Sequence, residues 1–350
     1  MLLIAPSLEI TGGQSVQASR LMAALAGEPR VKVDFLPMNP RLGGMFAWLQ
    51  RVKYVRTAAT GLAFGAAMAA RIRRYDVVHV FSASNYSFLL SAAPAMVLGR
   101  LARRKTVVNY RDGRAESHLA GWRTARLMRL ADCIVAPSGY LVDVFARYGY
   151  RAQAIPNILD TGRFRYRARG RLRPVFLHNR GLEPLYNVPC TLRAFAEIQA
   201  RYPAASLTLA HDGPLRGALE AMVREMGLRQ VRFVGHVSQE RMAELYDEAG
   251  IYLASPDIDC MPGSLLECYA AGLPVVATKA GGIPYMARHG ETALLVEPGD
   301  HHGLARAALR LLEDPELAAR IAQNARAECA RYAPTAVARA WADLYGELTA

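Results

Sequence analysis

The stretch Ser255–Asp300, SPDIDCMPGSLLECYAAGLPVVATKAGGIPYMARHGETALLVEPGD, places two acids, Asp259 and Glu267, eight positions apart around a Pro-Gly-Ser turn. Before it, Ile251–Ala254 is a short apolar run of strand character, and Met261-Pro262-Gly263-Ser264 breaks the chain. Leu265–Ala271 has good helix formers and no β-branched run, Gly272-Leu273-Pro274 stops the helix, and Val275–Ala277 is a second buried strand. Strand, turn, helix and strand in this order predict an open α/β sheet, which binds ligands at the carboxyl ends of its strands. A helix starting at Gly263-Ser264 offers backbone N–H groups and a partial positive charge, which suits a pyrophosphate. An acid late in a strand-end loop and one a turn into the next helix can face the same crevice. Glu267 would there accept hydrogen bonds from sugar hydroxyls, as acids do for a ribose in dinucleotide folds. Spacing by itself also fits two solvated surface charges.

Working outward, apolar strands alternate with helical stretches from end to end, which implies parallel sheets with crossover helices. A first sheet is expected from Val31–Leu36, Val77–Val80, Thr106–Asn109, Cys133–Ala136 and Ala152–Ile155, and a second from Pro174–His178 through Ser206–Ala210 to Ala293–Val296. The 350 residues exceed what one core usually supports, and 52% hydrophobic content excludes disorder. The arginine-rich stretch Gly162–Arg173 is read as the linker between a domain 1–165 and a domain 166–333.

The segment that opens this section resembles the donor site of retaining glycosyltransferases of family 4. Their GT-B fold pairs two Rossmann-like doubly wound domains across a cleft, and their E-x7-E motif precedes a helix and a G-x-P-V-V-A-T-x-x-G-G-x-P run. Glu267, Gly272, Pro274, Gly281, Gly282 and Pro284 fall in register, and Asp259 stands for the first acid with a shorter arm. The resemblance implies that Asp259 contacts hydroxyls of the transferred sugar and that Glu267 binds the nucleotide ribose. Asp212-Gly213-Pro214-Leu215-Arg216 and Val231–Val237 match two further blocks, with Gly235 seating the base. Pro156-Asn157-Ile158-Leu159-Asp160 resembles the close of the N-terminal domain, and Gly12-Gly13, in Thr11–Gln14, the glycine turn that faces the donor phosphates. A lone Gly-Gly is a weak signal; five blocks in order are a strong one.

The chain departs from the family at two places. Arg180 is present, but Tyr186 or its neighbour stands where a second phosphate-bracing cation, a lysine, is expected. One guanidinium still grips two phosphate oxygens and keeps its charge, so Arg180 with the helix start at Gly263, Ser264 and Leu265 is expected to neutralise a departing UDP or GDP. In Val107–Gly113, Arg111 occupies the place often followed by a catalytic histidine. Arginine is no general base; Arg111 would orient an acceptor carboxylate or phosphate, or be a surface cation. The family's front-face chemistry lets the leaving phosphate deprotonate the acceptor. The helix start and Arg180 take the place of a metal, so neither metal nor cofactor is expected. The resemblance also implies domain closure over the donor and a C-terminal helix, 334–350, returning to the first domain. Since both departures fall at catalytic places, a GT-B scaffold that binds without efficient transfer is the alternative.

Charge is divided unevenly. Residues 1–165 hold 23 Lys and Arg against 9 Asp and Glu, a net of +14, whereas 166–350 hold 20 against 21. Within the basic half, Met45–Arg56 is expected as an amphipathic helix with Phe46, Leu49 and Val52 on one face, Tyr54 near them, and Arg51, Lys53 and Arg56 on or beside the other. Such a helix suits an anionic membrane surface, or else packs its stripe on the domain core. The acceptor is then expected to be anionic or membrane-held, such as a lipid-linked glycan. No zinc-finger spacing, RNP-type run or dimerising basic helix supports nucleic-acid binding. Five cysteines without close spacing indicate neither a disulfide frame nor a zinc site, and His301-His302 is read as a surface pair at a helix start. With no signal-like start and no run long enough to span a membrane, a cytoplasmic protein, peripheral at most, is expected.

Overall fold

The computed structural model describes residues 1–9, 12–41, 43, 48, 52–84 and 87–350. Its chain divides into two compact units, Met1–Ile158 with Pro334–Ala350, and Leu159–Ala333. Both are parallel α/β sheets. The first has β1 (Leu2–Ala5), β2 (Asp34–Pro37), β3 (Val77–Ser82), β4 (Lys105–Tyr110), β5 (Cys133–Ala136) and β6 (Gln153–Ala154), in the order β2-β1-β3-β4-β5-β6. The second has β7 (Val175–His178), β8 (Ser206–Leu209), β9 (Val231–Phe233), β10 (Ile251–Ala254), β11 (Val275–Thr278) and β12 (Leu294–Val296), in the order β12-β11-β10-β7-β8-β9. Strands buried on both faces, such as β1 (LLIA), β10 (IYLA) and β11 (VVAT), read as the near-continuous apolar runs that parallel sheets require.

Each order reverses once, and the reversal is a topological switch point. In the first unit it lies between β1 and β3, in the second between β7 and β10. Loops leaving the carboxyl ends of those strands diverge to opposite faces and open a crevice. The physical reason that Arg180 and Asp259 meet is therefore topological: one follows β7 and the other follows β10.

The division of the chain falls after Ile158, not at 165, and the arginine-rich stretch is built into the second unit. Arg169 donates from Nε to the carbonyl of Gly272 (3.0 Å), from Nη2 to that of Tyr246 (2.8 Å) and from Nη1 to that of Ala249. It thus satisfies orphan carbonyls at the ends of the helices Gln239–Glu248 and Gly263–Ala271. Burial, then the repulsion of Arg167, lowers its pKa to about 10.

The C-terminal helix Pro334–Thr349 buries Val337, Trp341 and Tyr345 in one cluster with Leu3, Leu21, Val77 and Val107 of the first unit. Half of the amphipathic segment expected at 45–56 (45–47 and 49–51) lies outside the described residues, as does Thr11. A helix begins at Lys53 and runs to Arg71. Among the described residues no helix is long and apolar enough to cross a membrane. All five cysteines are free thiols.

Candidate active site

At the switch point of the second unit, Arg180 Nη2 donates to Asp259 Oδ2 at 2.5 Å. The two side chains are 18% and 7% exposed, so this is a sheltered ion pair and not a surface contact. Burial opposes the Arg180 charge, and attraction to Asp259, helped by Tyr186 and Tyr252, more than offsets it and leaves the pKa raised. The guanidinium lies over the Tyr186 ring, 4.4 Å from its centroid. Asp259 is held from behind by the Gly281-Gly282 turn, where Gly282 N–H donates to its carbonyl (2.7 Å). Gly281 has φ +51°, and a Cβ there would lie 2.3 Å from that carbonyl oxygen, so no other residue fits. The shortened acid thus has its position set by backbone and its charge taken by Arg180.

Glu267 stands on the helix Gly263–Ala271 and is half-buried. Its Oε2 accepts from the Tyr246 hydroxyl (2.9 Å), which itself accepts from Asn179 Nδ2 (2.6 Å). Asn179 Oδ1 accepts from the Tyr252 hydroxyl (2.8 Å), which is bonded to the Ser264 hydroxyl (3.0 Å). This chain ties the β7 exit, two buried tyrosines and the Glu267 helix into one network, and burial followed by Glu267 pushes the Tyr246 pKa well up. Sequence reasoning missed Asn179, Tyr246 and Tyr252. The one signal was a pair of tyrosines in otherwise apolar surroundings, whose hydroxyls need partners. The helix has Pro262 at its N-cap and no side-chain cap. Leu265, expected to lend its N–H to a ligand, already gives it to the Pro262 carbonyl (3.2 Å), and the Ser264 hydroxyl is taken by Tyr252.

Around the neighbouring strand ends, Gly235 has φ +69° and sits against Arg216, which donates to Asp212 (3.2 Å) and Glu220 (2.9 Å). The His211 and His236 rings meet edge to face at 4.5 Å. His178, fully buried at the end of β7, bonds through Nδ1 to the Leu253 carbonyl (3.0 Å), and burial lowers its pKa to about 3. It is a neutral structural imidazole.

In the first unit, Gly12 and Gly13 open the helix Gly13–Leu25. Gly12 is extended (φ −179°), and a Cβ at either position meets nothing within 4 Å, so open space and not backbone strain distinguishes them. Arg111 is no solvated cation. Half-buried, it lies 4.9 Å over Phe81 and donates to Asn109 Oδ1 (3.4 Å) and to Asn157 Oδ1. Asn109 Nδ2 then donates to His79 Nε2 (3.1 Å), so His79 Nδ1 carries the proton shared with the Tyr345 hydroxyl (2.6 Å). Burial and then the Arg111 charge lower the His79 pKa to about 3, and Trp341 stacks on its ring at 4.4 Å. The C-terminal helix thereby braces Arg111 through a directional chain.

His301 and His302 are not an isolated pair. Glu197 Oε1 lies 2.7 Å from His302 Nδ1 and 3.8 Å from His301 Nε2, and the three groups lie close enough to hold a metal ion. None of the three belongs to the Arg180 network.

Two doubly wound parallel units in one chain, with an arginine–acid pair at the switch point of the second, define the GT-B class. HepE of Anabaena, solved with UDP-glucose, matches with a TM-score of 0.77 at 20% identity, over 99% of this chain and 99% of that one, which shows the shared fold. The chain belongs to the glycosyltransferases of this class: residues 167–328 match the glycosyl transferases group 1 and residues 11–163 the Glycosyltransferase Family 4. An exopolysaccharide phosphotransferase of Streptomyces coelicolor is 29% identical over 271 residues, which are 74% of this chain but only 28% of that protein. A GDP-mannose-dependent alpha-(1-6)-phosphatidylinositol monomannoside mannosyltransferase of Mycolicibacterium smegmatis is 30% identical over 261 residues, 65% of this chain and 67% of that protein.

Proposed function

We propose that this protein is a retaining, metal-independent glycosyltransferase that moves a hexose from a UDP- or GDP-linked donor to a membrane-held or anionic glycan or lipid acceptor. The observation that carries this reading is the sheltered Arg180–Asp259 pair at the β7/β10 switch point, with Glu267 held nearby through Tyr246 and Asn179. Glu267 accepts from the nucleotide's ribose hydroxyls. Asp259 faces the transferred sugar, and Arg180 with the uncapped helix start at Gly263 draws off the charge that develops on the diphosphate as the glycosidic bond breaks. Charge neutralisation of this kind needs no divalent ion. The leaving phosphate takes the acceptor's proton, so no side chain need serve as base, and Arg111 orients the acceptor. UDP-glucose bound to HepE and the GDP-mannose dependence of the mycobacterial relative support a nucleotide-sugar donor without choosing its base.

Charge and exposed apolar side chains support work at the cytoplasmic face of a membrane. The first unit carries the chain's basic excess and leaves Val52, Val55, Trp122 and above all Leu62 (76%) and Leu101 (74%) exposed, with Arg123 and Arg126 against the Trp122 ring. Sedimentation with phosphatidylglycerol vesicles tests this; equal recovery with neutral phosphatidylcholine vesicles refutes an electrostatic attachment.

A hydrolysis and transfer screen against UDP-, GDP- and ADP-sugars tests the enzyme. Glu267→Ala is expected to abolish donor binding measured by calorimetry, and unchanged affinity would sink the assignment. Saturable binding of UDP or GDP with no product from any donor would point instead to a binding scaffold, the reading that the missing lysine favours.

A further inference from the structure

We infer that Tyr186, in the segment where the second cation is expected, is a positioning residue that locks the plane of Arg180. Four observations converge on it. The Arg180 guanidinium lies 4.4 Å over the ring centroid, within the range of a cation–π contact. The ring packs across Gly181, where a Cβ would come 3.2 Å from Cε2, so glycine at 181 is what admits the ring to that place. The backbone on both sides of the ring is pinned to the β10 exit loop: Asp257 N–H donates to the Leu185 carbonyl (2.9 Å), Asn187 Nδ2 to Asp257 Oδ1 (2.8 Å), and the Ser255 hydroxyl to the Asn187 carbonyl (2.8 Å). Finally, Arg180 Nε is buried with no hydrogen-bond partner among the described residues.

These fit one device. A single bond from Nη2 to Asp259 leaves the guanidinium free to turn about that bond, and a ring laid on its face removes the freedom. The fork is then presented in one orientation. Nε itself lies out of a ligand's reach, so a terminal oxygen of a diphosphate meets the guanidinium only at the edge left exposed, in the one orientation the ring allows. Rigidity replaces the second charge: one cation held in place costs less reorganisation during bond cleavage than one that must swing into position. The catalytic consequence rests on the donor reading above, but the positioning does not.

Two readouts keep them apart. The first is the Arg180 Nε–H NMR signal in the ligand-free protein, assigned by its loss in Arg180→Lys. Ring-current shift and slow exchange are expected in the wild type and in Tyr186→Phe, and their loss in Tyr186→Leu; an unshifted wild-type signal, or one unchanged in the leucine variant, overturns the inference. The second is turnover. Tyr186→Leu should lower kcat on the order of tenfold with KM and UDP affinity nearly constant, Tyr186→Phe should recover most of it, and Gly181→Ala should reproduce part of the loss by crowding the ring. Wild-type kcat in Tyr186→Leu would overturn the role. If the wild type turned over no donor, the donor reading would fail while the NMR signal still decided the positioning of Arg180.

Discussion

Arg180 in the second unit and Arg111 in the first each stand just past an interior strand and over an aromatic ring, Arg180 at a switch-point strand and Arg111 one strand beyond the switch point of its own sheet. They are held by different chemistry. Arg180 is fixed by a carboxylate at 2.5 Å, Arg111 by the amides of Asn109 and Asn157. A carboxylate fixes an arginine firmly but cancels its charge, whereas amides fix it more weakly and leave the charge for a ligand. Under the proposed function, Arg180 would act late, when negative charge develops on the leaving group, and Arg111 would attract an anionic acceptor from the start.

The largest expected effect separates these modes directly. Asp259→Ala should destabilise the second unit by about 3 kcal/mol, because a mostly buried cation loses its partner, while Asn109→Ala, which removes a long contact to Arg111 and the hydrogen bond to His79, should cost the first unit less, about 1–2 kcal/mol. Urea denaturation measures both, and equal losses would break the contrast.

The buried histidines under the two sites give a second comparison. His79 and His178 both have a folded pKa of about 3 against an ordinary 6.5. The folded pKa is depressed, so the unfolded chain binds the proton more readily. Each contribution is complete above pH 6.5 and is lost as pH falls from 6.5 toward 3. At pH 5 each should have lost about 2 kcal/mol, since one pH unit is worth about 1.4 kcal/mol. The loss is read as a falling urea midpoint between pH 7 and pH 5, and His79→Gln should remove its share of the slope. The two differ in bonding: His79 uses both ring nitrogens, whereas His178 Nε2 has no partner among the described residues. His79→Leu should therefore cost more than His178→Leu, the reverse order counting against the Tyr345–His79–Asn109–Arg111 chain.

A smaller effect tests the Glu267 network. Tyr246→Phe removes one hydroxyl, leaves the Asn179 amide only the weak acceptor Met242 Sδ (3.3 Å) and should cost about 1–2 kcal/mol, with weaker nucleotide binding in calorimetry. Unchanged binding would mean that Glu267 keeps its place without Tyr246.

Most of the fold was readable from residues in order, because a strand buried on both faces declares itself as an unbroken apolar run and Gly272 and Pro274 mark where helices stop. Among the expected elements, the boundary at 165 moved to Ile158. The arginines of 162–173 read as solvated linker charge, yet Arg169 reaches carbonyls some 77 to 103 positions away, and side-chain reach of that kind has no trace in composition. The bracing of Arg111 was equally hidden: its partner Asn157, and Tyr345, which holds His79 at the far end of the chain of bonds, lie distant in sequence and are brought in by parallel strand order and the returning C-terminal helix.

The pair of acids shows where the line falls. Residue order alone placed Asp259 at a strand exit and Glu267 one turn into a helix, because local breaks and periodicity are properties of neighbouring residues. It left open whether they were a site or two surface charges. The fold shows that neither is a plain surface charge: the β12-β11-β10-β7-β8-β9 order carries Arg180, nearly eighty positions upstream, to Asp259, and the buried tyrosines carry Asn179 to Glu267. Partners in an ion pair or a buried network are chosen by distance in space, which depends on strand order and packing and not on separation along the chain.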